Sequence, residues 1–346
     1  MGYSDLLKLT MEHPGDVSRL AELLAEGKIR AEEIKGIIAQ TEGDGYARGY
    51  ATLAFQTLLS PYLGWTAEEV FDRIPMMMIG KTGGLMSPHY TLFLKRDRSE
   101  SESKAAEGKR FSFGVASSRK LSPEEIGTRV QVDLTTETVK RAMEDAGLTS
   151  ADDVHCVEIK CPWGIGGARS KASSALGSAV ALGEIEREQV EEGSINGDHS
   201  LYSVKTSVSA GGEQTAVRVI VMGNVQGSAS PLRIGSGVMK DAFDLDGLLE
   251  TFRSVGMEAS PLLAASDRSR IVQVFVNAGS DALPHIRGQR HTIHSDALSM
   301  HAGIVAKAVA NAVVGSFVGD ASILCSAGSE HQGPQGSNLI ALVVRD

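Results

Sequence analysis

The sequence predicts an α/β or α+β chain made of three similar repeat units, each of mixed helices and strands. Three observations predict it. Helix-like and strand-like periodicity alternate along all 346 residues. The same order of elements returns three times. The spacings between matched landmarks also agree. Gly27 to Gln40 and Gly147 to Lys160 each span 13 residues, while Gln40 to Ser87, Lys160 to Ser209 and Asn277 to Ser326 span 47, 49 and 49. Successive serines stand 122 and 117 residues apart.

The first unit opens with an amphipathic helix over Asp16 to Glu26. Pro14-Gly15-Asp16 is its start signal, Gly27 its stop, and Val17, Leu20, Leu23 and Leu24 share one face. A strand runs from Ile34 to Gln40, and a helix follows from about Arg48. Strands over Met76 to Ile79 and Tyr90 to Leu94 flank Ser87-Pro88-His89. The second unit has a helix ending at Gly147, a strand Val154 to Lys160 and a helix Lys171 to Glu186. A strand Tyr202 to Val208 leads into Ser209-Ala210-Gly211, and Val217 to Met222 is the last strand. The third has a helix ending near Gly256, a strand Ile271 to Asn277 and a helix from about Met300 to Val314. Ile323 to Cys325 then meets Ser326-Ala327-Gly328, and Leu339 to Val344 closes the chain. Its start is irregular, since Gly256 to Asn277 is 21 residues.

The stretch from Arg96 to Arg110 is charged and poor in apolar residues, so it reads as a linker. Gln226 to Gly237 is rich in Gly and Ser. These divide the chain into units 1–104, 105–240 and 241–346. Returns after each serine favour antiparallel pairing.

Composition narrows the function. A net charge of −9 argues against a nucleic-acid-coating protein. No apolar run approaches the length of a membrane span, and no signal peptide is apparent. Cys156, Cys161 and Cys325 form neither a disulfide framework nor a zinc knuckle, and they suit a reducing cytoplasm.

The chemistry concentrates in the repeats. Small residues after a serine let backbone N–H groups approach a ligand oxygen, as an oxyanion hole requires; this singles out Ala210 and Ala327. A nucleophilic serine also needs a base. The matched strand ends carry Gln40, Lys160 and Asn277, of which only a neutral Lys160 accepts a proton. Lys160 and Ser209 therefore form the one complete Ser-Lys pair. Arg48, Lys171 and Lys307 stand near helix starts and would line a positive pocket if they face one centre.

Weaker signals carry less. Gly80-Lys81-Thr82 lacks the upstream glycine of a phosphate-binding loop. His285, His291 and His294 suit a structural or surface role. The loop Glu330-His331-Gln332-Gly333-Pro334 either holds an ion through carbonyls or braces the Ser326 turn.

Several motifs in order resemble the cyanuric acid hydrolase/barbiturase family of ring-opening amidohydrolases. They are Pro14 to Ser18, Thr41-Glu42-Gly43, Arg48 to Thr52, Leu85 to His89, Ser174 to Gly177, Ser209 to Glu213, Arg290-His291-Thr292 and Glu330 to Pro334. The resemblance runs from about residue 14 to 346. It implies three units around a pseudo-threefold axis, an active site on that axis, and no catalytic metal. It implies Ser209 as nucleophile and Lys160 as base, with Ser87 and Ser326 touching the ring and Arg48, Lys171 and Lys307 gripping its carbonyls. It also implies a structural divalent ion near Glu330–Pro334 and a homotetramer.

The departures concern recognition. First- and third-unit lysines read as Gln40 and Asn277, two gripping arginines read as Lys171 and Lys307, and an expected ion-binding acid is replaced by Ala278-Gly279. The segment from Cys161 to Ser170 is short for the family. A lysine cannot form the planar fork of an arginine. The expectation is a retained ring-opening mechanism, no cofactor for catalysis, and a less symmetric, substituted cyclic amide, imide or ureide as partner. A non-hydrolytic isomerase or lyase and a silent binding protein remain the rival readings.

Overall fold

The strand-forming runs are apolar on both faces, as strands buried between two layers must be. In the computed structural model, residues 2–43, 45–80, 83–97, 108–164, 166–258, 262–294 and 302–346 are described. The first unit runs β1 (Tyr3–Thr10), α1 (Ser18–Ala25), β2 (Ile34–Gln40), α2 (Gly45–Leu63), α3 (Ala67–Arg73), β3 (Met76–Ile79) and β4 (His89–Arg96). The second runs β5 (Lys109–Lys120), α4 (Arg129–Ala146), β6 (Val154–Pro162), α5 (Gly167–Ala181), β7 (Thr206–Gly211) and β8 (Ala216–Gln226). The third runs β9 (Leu232–Met239), α6 (Leu245–Arg253), α7 (Ala265–Arg270) and β10 (Ile271–Ala278). It continues through the hairpin β11 (His285–Ile286) and β12 (Gln289–Arg290), then α8 (Ala302–Val318), β13 (Leu324–Ala327) and β14 (Asn338–Arg345).

The three sheets share one topology: β1-β4-β2-β3, β5-β8-β6-β7 and β9-β14-β10-β13. In each, two strands pair parallel through a helical crossover, because a tight turn cannot reverse direction twice. The remaining pairings are antiparallel. The central strands even share an irregularity, with register shifts at Ile34/Gly36, Val154/Cys156 and Ile271/Gln273.

One face of each sheet packs under its own helices. Phe55 covers the first, Val139 and Ala175 the second, Phe252 and Val314 the third. The other faces meet in a common core that takes Ile38 and Met77 from the first sheet, Cys156 and Met222 from the second, and Phe275 and Leu324 from the third. Each such buried aliphatic or aromatic side chain contributes roughly 1.5–3 kcal/mol. The three similar units therefore surround one shared core, the α/β pseudo-threefold arrangement.

Besides the two-residue hairpin strands β11 and β12, three strands escape the sequence reading, and they are the same strand in each unit: β1, β5 and β9. β5 starts at Lys109, inside the apparent linker, of which residues 98–107 lie outside the described residues. β9 lies in the Gly/Ser-rich stretch. There, a Cβ at Gly235 would strike Ser254 and one at Gly237 would strike Thr251, so glycine lets α6 close onto the strand. Pairing with β14 along Leu232–Met239 overrides the weak local propensity. This strand belongs to the third sheet, although the division at 240 puts it in the second unit. The division at 104 falls outside the described residues, as does Met300. The helix expected over Lys171 to Glu186 spans Gly167–Ala181 instead.

Candidate functional site

Parallel pairing sets the site. Residues opposite one another on adjacent strands point to the same side of the sheet. Lys160 on β6 lies opposite Ser209 on β7, and Asn277 on β10 lies opposite Ser326 on β13. Gln40 on β2 lies opposite Ile79 on β3. All three pairs cap the shared core at one end, where a cavity of about 350 Å³ opens.

The first pair corrects the sequence reading of Ser87. The position equivalent to Ser209 and Ser326 is Ile79, 39 residues after Gln40 rather than 47. Ser87 lies eight residues further on, past the strand end. It is half-buried, and its N–H donates to Ala321 O at 3.2 Å. The cavity lining contains Ile79 and not Ser87. Ser209 and Ser326 themselves stand inside strands, not in turns after them.

The other candidates converge. Arg48, Lys160, Lys171, Ser209, Ala210, Lys307, Ser326 and Ala327 all line the cavity. The three helix cations follow a cyclic pattern, each reaching to the next unit. Arg48 Nε on α2 lies 3.9 Å from Glu213 Oε2 in the second unit. Lys171 Nζ on α5 lies 2.7 Å from Glu330 Oε1 in the third. Lys307 Nζ on α8 donates to Gly80 O in the first at 3.0 Å.

The sequence reading gives Glu213 no role and Glu330 only one in the ion-holding loop, yet a shared signal exists: each stands four residues after its serine. Each folds back over its own turn, so that a Cβ at Gly211 or Gly328 would collide with it. In the first unit that offset from Ile79 falls on Gly83.

Lys160 is 1% exposed. Its ammonium donates to Met78 O at 2.8 Å and Ala210 O at 3.5 Å, and lies 3.6 Å from Glu213 Oε1. Burial pulls its pKa down to about 8; Glu213 opposes that shift and Arg48 adds to it. Lys307, 8% exposed, is pulled down to about 8 as well, again by burial first.

The departures have structural reasons. Gln40 Oε1 accepts from Cys325 N at 2.7 Å, bracing the first unit against the third. Asn277 Nδ2 donates to Gly328 O at 2.7 Å, which braces the chain just past the end of β13. Gln332 Oε1 accepts from Val208 N at 2.6 Å, tying the third unit to the residue before Ser209. His331 Nε2 accepts from Asn196 N at 2.8 Å. The Glu330–Pro334 loop thus braces the second unit.

The resemblance also implies a divalent ion at this loop. Among the described residues no group of three or more His, Cys, Asp or Glu side chains converges. Glu330 is committed to Lys171, and the loop side chains are turned to protein partners. A hard divalent cation takes six or more oxygen ligands. The side chains here do not fit one, and the Lys171 ammonium supplies the positive charge beside Glu330. Among the histidines, His285 is exposed on the hairpin and His294 Nε2 lies 2.9 Å from Asp281 O, a structural contact. No helix of the described chain is long and apolar enough to cross a membrane.

Three similar sheets thus share one core, and at one end of it a serine faces a buried lysine in a cavity lined by three cations. The family model for amidohydrolase ring-opening proteins matches residues 5–164 and 166–345, and the chain belongs to that family. It is 38% identical to a cyanuric acid amidohydrolase of Enterobacter cloacae, over 99% of both chains. It is 37% identical to a cyclic amide hydrolase of a Rhodococcus species, over 97% of this chain and 100% of that one. A solved cyanuric acid hydrolase, described as an innovation by structural concatenation, superposes with a TM-score of 0.93 at 34% identity over the whole of both chains.

Proposed function

We propose that the protein opens the ring of a cyclic amide, imide or ureide by hydrolysis, with Ser209 as nucleophile and Lys160 as base. One observation carries this reading. A fully buried lysine, with its pKa drawn to about 8, lies opposite a serine on the adjacent parallel strand inside the cavity.

Neutral Lys160 takes the Ser209 proton as Oγ attacks a ring carbonyl. Backbone N–H groups of Ala210 and Ala327 stabilise the oxyanion, each donor being worth ~3 kcal/mol. The ring nitrogen leaves with the proton held by Lys160 while remaining tethered to the acyl group. Water then releases a linear carboxylate, which decarboxylates where it is a carbamate. Ser326, Arg48, Lys171 and Lys307 bind the remaining ring edges; Ser87 has no part. The lysine-for-arginine changes favour a ring other than a symmetric triazine.

The test incubates the enzyme with cyanuric acid, barbituric acid, dihydrouracil and glutarimide and weighs the products. A product heavier by one water, absent with Ser209→Ala and with Lys160→Ala, is expected. A product of unchanged mass would instead identify an isomerase, and binding without turnover a silent receptor. The homotetramer rests on the family resemblance, and light scattering after gel filtration tests it. Three buried free cysteines support a reducing cytoplasm.

A further inference from the structure

The three corners of the cavity differ in a way that bears on the ring itself. The second presents the Ser209 hydroxyl, and the third presents Ser326. At the first, register puts Ile79 where a third hydroxyl would stand. The Gln40 amide oxygen behind it is taken by Cys325 N, and Lys307, the cation of this corner, is engaged by Gly80 O. The carboxylate is missing too, because Gly83 stands where the other units carry Glu213 and Glu330. That glycine admits Ile304 from α8, since a Cβ there would lie 2.5 Å from Ile304 Cγ2. Ile304 lines the cavity together with Ile79. Among the described residues, the first corner thus carries no hydroxyl at the Ser209 position and no carboxylate at the Glu213 position, and it presents two branched hydrocarbons instead.

A ring carbonyl or N–H pressed against Ile79 and Ile304 would leave water for two side chains that offer no hydrogen bond, whereas a CH₂ would lose nothing. We infer that the preferred substrate is a cyclic imide or ureide with a hydrocarbon edge, a ring CH₂ or alkyl-bearing carbon, seated against Ile79 and Ile304. This rests on the ring-opening reading above and adds the chemistry of the third edge. A triazine with three identical polar edges fits two corners and mismatches the third.

The experiment compares glutarimide with cyanuric acid, at matched pH, on the wild type, Ile79→Ser and Ile79→Val. The wild type should show kcat/KM at least ~10-fold higher on glutarimide, the scale on which a hydrophobic pocket discriminates a small group. Ile79→Ser should lower that ratio ~10-fold or more, and Ile79→Val should preserve it. A wild type that prefers cyanuric acid, or a ratio unmoved by Ile79→Ser, overturns the inference. Calorimetry on Ser209→Ala separates it from the hydrolase reading. If no ring is opened, tighter binding of glutarimide than of cyanuric acid still upholds the hydrocarbon corner. Equal or reversed affinities, or no binding of either, overturn it.

Discussion

The second and first units present the same backbone with opposite chemistry at the mouth of one cavity. Both end a central strand beside a short parallel strand, and both follow it with a helix carrying a cation. The second unit places Lys160 and Ser209 there, the first Gln40 and Ile79. The difference continues one layer down. Beneath the second pair lie Glu158 and Ser207, whereas Ile38 and Met77 occupy those positions in the first. On the proposed reading a threefold fold supports one reactive corner, because reactivity needs a base and a nucleophile on the same rung while stability needs only a bridge. Gln40 is such a bridge, linking the first unit to Cys325 N without a buried charge.

The largest expected effect separates the two rungs. Lys160→Ala and Ser209→Ala should each lower kcat by ~10⁴-fold or more, with the double variant no worse than either, because a nucleophile and its base act as one unit. Gln40→Ala and Asn277→Ala should keep measurable turnover. Additive losses in the double variant would break the unit apart, and an equal loss at Gln40 would move the chemistry to the first corner.

Next is the pH dependence of stability, which probes the layer below. Burial lifts the Glu158 carboxyl from 4.5 to about 8. The folded state therefore holds a proton that the unfolded chain releases between those values, and this group's stabilisation falls as pH rises across that window. The slope it contributes is up to ~1.4 kcal/mol per pH unit. Urea titrations at several pH values should show a flatter dependence for Glu158→Gln; an unchanged slope would show that Glu158 is already ionised.

Gln40→Ala should destabilise by about 1–3 kcal/mol, since Cys325 N is left buried without an acceptor. Chemical denaturation measures it, and a neutral result would remove the bridging role.

The smallest effect is electrostatic. Glu213 holds Lys160 toward its charged form. Glu213→Gln should move the acidic limb of the pH–rate profile to lower pH, with a several-fold gain in kcat/KM below the wild-type limb. A shift in the other direction would make Glu213 a partner of the neutral amine.

Much of this was legible in the sequence because it is local. Ile34–Gln40 and Met76–Ile79 are dense apolar runs with no competing period, and their strands match the reading residue for residue. Lys160, Ser209 and Ser326 stand at strand ends that recur with equal spacing. Ser87 was misplaced because spacing to a serine is not register: the first unit makes its parallel pairing ten residues sooner, and only the hydrogen-bonded ladder reveals Ile79. Strands β1, β5 and β9 were hidden because their polar, charged or glycine-rich residues become strand only through pairing with the last strand of each unit. The cyclic contacts to Glu213 and Glu330 join residues more than 150 apart in the chain, beyond any periodic signal.

The measurement that bears most directly on the reactive second corner is mass spectrometry of enzyme quenched in acid during turnover. Ring opening by a nucleophile expels nothing, because the leaving nitrogen stays tethered, so the acyl-enzyme gains the whole mass of the substrate. That increment should map to the peptide containing Ser209 and vanish in Ser209→Ala. An adduct on Ser326, or product formed by Ser209→Ala at the wild-type rate, would contradict the assignment of the chemistry to Lys160 and Ser209.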